Sequence, residues 1–97
     1  MARPNDVQDR GVVTVIGKDR VGIIAGVAKV LADQNVNIAD ITQTVMRDLF
    51  TMNMIVDFSK MRCSFHELSK LLEEEAKKLG VKIYIHKEEV FRFMHTI

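Results

Sequence analysis

The sequence predicts an α+β sandwich: a four-stranded antiparallel sheet with two helices on one face. Three observations predict it. Four stretches have the length and β-branched or alternating pattern of strands. Two others repeat apolar residues at helical spacing. The six interleave as strand-helix-strand-strand-helix-strand, and 97 residues suffice for one such domain with a single core.

Residues 1–10 are polar, hold the only proline and show no period, so they read as a flexible tail ahead of a domain over 11–97. Val12-Val13-Thr14-Val15-Ile16 is the first strand. A polar turn, Gly17-Lys18-Asp19-Arg20-Val21-Gly22, leads into a helix whose apolar stripe is Ile23, Val27, Val30 and Leu31. Asp19 precedes that helix and is expected to cap its free N–H groups. Gly22 lacks a Cβ, so a ligand or a second backbone can come close, and an open helix start attracts a small anion such as a carboxylate. The same glycine would also serve as nothing more than an easy turn, and spacing alone favours that plainer reading.

Asn35, suited to a left-handed helix end, stops the first helix. Ile38 to Met46 then alternates loosely, with Ala39, Ile41 and Val45 on one face and Asp40, Thr42 and Thr44 on the other. Arg47-Asp48-Leu49 connects this strand to Phe50 to Phe58, whose dry face is Phe50, Met52, Met54 and Val56. So tight a connection predicts an antiparallel hairpin. After a loop over 59–63, Ser64-Phe65-His66-Glu67 matches a capping box. Leu68, Leu71, Leu72, Ala76 and Leu79 mark the buried face of the second helix. Lys77 and Lys78 suit its C-terminal dipole and Gly80 ends it. Val81, Ile83 and Ile85 alternate with Lys82, Tyr84 and His86 in a last strand. Residues 88–97 place Val90, Phe91, Met94 and Ile97 on one side of a short C-terminal helix. With right-handed crossovers this order is the ferredoxin-like βαββαβ sandwich. Its second sheet face is open, lined by Thr14, Thr42, Thr44 and Tyr84 with Val12 and Ile16. Such a half-apolar face on a small domain, with the apolar side of residues 90–97, predicts a homodimer through the sheet edge or the open sheet face.

Composition narrows the function classes. A net charge of +1 gives no electrostatic reason to expect direct nucleic-acid or anionic-membrane binding. The single cysteine, Cys63, has no internal disulfide partner, which fits a cytoplasmic protein. No apolar run reaches membrane-spanning length, and the N-terminus lacks a signal-peptide segment. His66, His86 and His95 lie on different elements and Cys63 has no partner at CxxC spacing, so no metal or other cofactor is expected. Ser64 reads as a cap, Asp40 and Asp57 as strand-edge charges, and no acid, base and nucleophile converge; the protein is not expected to be an enzyme. Tyr84 alone makes a thin platform for RNA bases.

Gly17 to Ile24, continued through Leu31 to Ile41, resembles the ACT domain: a strand, then Asp-Arg-x-Gly-Ile, a helix ending in Leu-Ala, and Val-Asn-Ile opening the next strand. More narrowly, Val12 to Ile97 resembles a small stand-alone ACT family of bacteria and archaea, related to the glycine cleavage system transcriptional repressor. Gly17-Lys18-Asp19, Asn37-Ile38, Thr42-Gln43-Thr44, Phe50-Thr51-Met52 and Met94-His95 carry that likeness; Thr96 departs from the arginine expected there. The resemblance implies a regulatory module that senses a small molecule, an amino acid by expectation, at a domain-domain interface. It assigns ligand binding to Asp19, Arg20, Val21, Gly22, Ile23 and Ile24, with Asn37 and Ile38 at the start of the second strand. A regulated protein partner, with no ligand of the module's own, is the alternative.

Overall fold

The computed structural model describes residues 9–18 and 22–87. Its elements run β1 (Arg10–Gly17), α1 (Ile23–Asp33), β2 (Asn37–Met46), β3 (Leu49–Asp57), α2 (Phe65–Leu79) and β4 (Lys82–Lys87). The strands form one sheet in the order β2-β3-β1-β4, and every neighbouring pair is antiparallel. This is the expected ferredoxin-like βαββαβ sandwich. β1 begins at Arg10, a residue expected in the tail. The short helix expected over 88–97 lies outside the described residues.

The dry side of the sheet forms the core. Val13, Val15, Met52, Met54 and Val56 pack against Ile23, Val27 and Leu31 of α1 and Leu68 and Leu72 of α2. Both helices therefore cover the same face. Cross-strand register defines the other face: one row reads Thr42, Asn53, Thr14, Tyr84, and the next reads Thr44, Thr51, Ile16, Lys82. The Thr14 hydroxyl donates to Asn53 Oδ1 at 2.8 Å within the first row. The six residues expected to line this open face do share it. Val12 nevertheless is only 2% exposed, held between Ile55 and His86.

The two helices start differently. Ser64 Oγ accepts from the Glu67 N–H at 3.1 Å, and Gly80 closes α2 with φ 71°, as its sequence predicts. At α1 the N-cap residue is Gly22, with φ 78° and no side-chain hydrogen bond. Asp19, the residue expected to cap this helix, stands three positions before Gly22 in the sequence and lies outside the described residues; the left-handed N-cap glycine itself supplies no side-chain acceptor.

β2 also differs from its pattern. The register passes from Ile38 opposite Val56 to Asp40 opposite Ile55, leaving Ala39 as the extra residue of a bulge. The bulge resets the alternation, so Ile38, Ile41 and Val45 face the helix side and Ala39 no longer sets the face. Only Ile38 packs on the core; residues 39–46 are exposed. The hairpin turn is Arg47 and Asp48 alone, because Leu49 already pairs with Met46 in β3. Arg47 takes φ 59° there, the positive value that a type II′ turn needs at its first position.

Candidate functional site

The sheet has two ends, and the expected site is divided between them. Gly17 is in register with Phe50 and Val45, which fixes one end. Gly22 opens α1 just beyond it. Its φ of 78° is left-handed, and among the described residues a Cβ built there meets nothing within 4 Å, so the helix start is open on that side. The first intrahelical bond runs from the Gly26 N–H to the Gly22 carbonyl at 2.9 Å. The N–H groups of residues 23–25 precede that bond and have no i−4 acceptor within the helix. No acidic residue stands in this first turn. Ile23 is buried and Ile24 packs on the core, so their side chains hold the helix down and their amides remain for binding. Asp19, Arg20 and Val21 lie outside the described residues.

Asn37 stands at the opposite end, in register with Asp57 and, through it, Arg10. The 11 residues of α1 separate the two ends by about 16 Å. One copy of the chain therefore does not bring Gly22 and Asn37 together. Ile38 packs on the core, leaving Asn37 as the exposed polar group of the pair.

Asn37 lines a cavity of about 460 Å³ with Asn35, Asp57, Ser59 and Lys60. The Ser59 N–H donates to Asp57 Oδ1 at 2.8 Å. That bond, helped by the charges of Arg10 and Lys60, outweighs partial burial and holds the Asp57 carboxyl below its usual range. Asn35, left-handed at φ 60° as expected, donates from Nδ2 to the Lys60 carbonyl at 2.9 Å. The result is an ionised carboxylate and an ammonium beside an exposed amide, partners for a small zwitterion. The sequence marked Asp57 only as a strand-edge charge and did not single out Lys60. They lie some twenty residues past Asn37, and only the strand register joins them to it. Cys63, partly buried and near Glu67, has its thiol pushed up by desolvation first and by that negative charge second. It is a protonated thiol at neutral pH, not an activated nucleophile. Among the described residues no three His, Cys, Asp or Glu side chains group to hold a metal ion, and no helix is long and apolar enough to cross a membrane.

The ACT-domain family pattern matches residues 10–86. A UPF0237 protein of Methanocaldococcus jannaschii is 50% identical over 88 residues, covering 91% of this chain and 98% of the relative. An ACT domain protein from Streptococcus pneumoniae superposes with a TM-score of 0.75 at 39% identity, over 84% of this chain and 92% of that one. A glycine cleavage system transcriptional repressor shares the fold with a TM-score of 0.67 at 21% identity, over 79% of this chain and 44% of that one. The family pattern spans nearly all of the described residues: the chain belongs to the ACT-domain family.

Proposed function

We propose that the protein senses a free amino acid, bound between two copies of the chain, and that it is a regulator rather than an enzyme. ACT domains are regulatory ligand-binding modules. The observation that carries the finer reading is the division of the site: Gly22 and Asn37 stand at opposite ends of one copy, beside an uncovered edge strand. β2 is that edge, and Ile41, Val45 and Met46 are exposed along it, at 37%, 50% and 68%. Unpaired strand edges recruit strands. Two β2 edges pairing antiparallel about a two-fold axis set Asn37 of one copy opposite Met46 of the other, at the end where α1 begins. The two halves of the site then meet twice per dimer.

The chemistry of the halves is complementary to an α-amino acid. The α1 amides and the positive end of the helix dipole suit its carboxylate. Asn37 and the ionised Asp57 of the second copy accept from its ammonium. A panel of the proteinogenic amino acids in a thermal-shift assay tests this. One or a few should raise the melting temperature in a saturable way. No response to any of them would favour the alternative, a regulatory subunit that acts through a protein partner.

A further inference from the structure

Where β1 ends, a second cavity of about 450 Å³ opens between the β3 start and the α2–β4 corner. That volume falls in the range of small-molecule sites. It shares no residue with the Gly22–Asn37 site. Its floor is apolar, with Ile16, Leu49 and Val81 among the residues that form it. Leu49 is 46% exposed and outside the core cluster, so the fold gives it no other packing role. The wall is tight: a Cβ at Gly17 would stand 2.6 Å from Val81 Cγ1, so that strand end and side chain touch directly.

Among the described residues the rim carries charge of one sign. Lys18 directly follows β1, Lys77 comes from the last turn of α2 and Lys82 from the start of β4. Among the described residues no Asp or Glu lines the cavity. The chain as a whole is nearly neutral, with 14 lysines and arginines against 13 aspartates and glutamates, so three ammonium groups around one apolar hollow is a local segregation. Lys77 also complements the α2 dipole, but that role does not require Lys18 and Lys82, which belong to other elements.

We propose that this cavity is a second ligand site, one that takes a carboxylic acid with an apolar body and no ammonium group. The body fills the hollow over Leu49 and Val81, and the carboxylate pairs with the lysine rim. The rim repels an α-ammonium, so this site selects against the zwitterionic amino acids that suit the other one. An amino acid and an acid lacking its amino group would thus report on different parts of the molecule.

Hydrocinnamate, phenylalanine and hydrocinnamyl alcohol share one apolar body and differ in charge. Each is titrated into the full chain while backbone amide signals are followed by proton–nitrogen correlation spectroscopy. Hydrocinnamate should shift Gly17, Leu49, Gly80 and Val81 in a saturable way, with phenylalanine and the alcohol at least about tenfold weaker at those amides. The exposed double variant Lys77→Gln, Lys82→Gln should keep its spectrum and lose at least about tenfold in hydrocinnamate affinity. Equal affinity for the alcohol would overturn the proposal, as would an unchanged affinity in the double variant. So would hydrocinnamate shifts confined to residues around Gly22 and Asn37. Phenylalanine shifts at Gly22 bear only on the amino-acid site, so failure of one reading is distinguishable from failure of the other.

Discussion

Asp57 is where a single residue ties the sheet to the site. Its carboxylate accepts the Ser59 N–H and stands between Asn37 and Arg10 in the register, with its pKa lowered chiefly by that backbone bond. A carboxyl whose folded pKa is depressed contributes stability above its unfolded value, and that contribution is lost as pH falls through the folded value. Asp57→Asn should therefore narrow the gap in urea midpoint between neutral and acid solution. The expected change is small, because the group is half-exposed and screened. Identical pH dependence in the variant and the parent would contradict the assignment. Nothing local in the sequence distinguishes Asp57 from any strand-end aspartate. Gly22 was legible as a special position, but its left-handed φ was not, since a glycine in a turn accommodates either sign.

Among the elements, α2 and α1 make the sharpest contrast. α2 is specified by residues that act within one turn of each other: Ser64 on Glu67 at its start, Gly80 at its end. Its bounds were readable for that reason. Ser64→Ala should cost about 1 kcal/mol of unfolding free energy, read by urea denaturation. A change within error would mean that water caps this helix equally well. α1 begins on a glycine with no side-chain cap, a local rule broken at the place where the proposed site would use open amides. β2 was readable as a strand but not in its facing. The bulge at Ala39 is a property of the pair β2 and β3, and no single-strand pattern encodes it. Its exposure depends likewise on where the helices stop.

For the whole molecule, the β2 edge, uncovered among the described residues, decides how the proposed site is completed. The fold was legible because each strand and helix repeats its own period; the division of the site was not, because it depends on two ends of a sheet some 16 Å apart. The proposed β2 pairing predicts a particle of about twice the 11.1 kDa chain mass in light scattering. Val45→Lys, on a half-exposed position of that edge, should return it to a monomer without unfolding it. A Val45→Lys dimer would move the interface elsewhere. The central claim, that each ligand site takes Gly22 from one copy and Asn37 from the other, is tested most directly by mixing two defective proteins. Gly22→Val fills the open space at the helix start, and Asn37→Ala removes the amide of the second strand. With an amino acid returned by the thermal-shift panel, calorimetry should find little binding by either variant alone. After unfolding and refolding the two together, each mixed dimer should regain about one intact site, because one of the two sites at its interface holds both native residues. Binding that stays lost in the mixture, while the mixed dimer itself forms, would contradict the account.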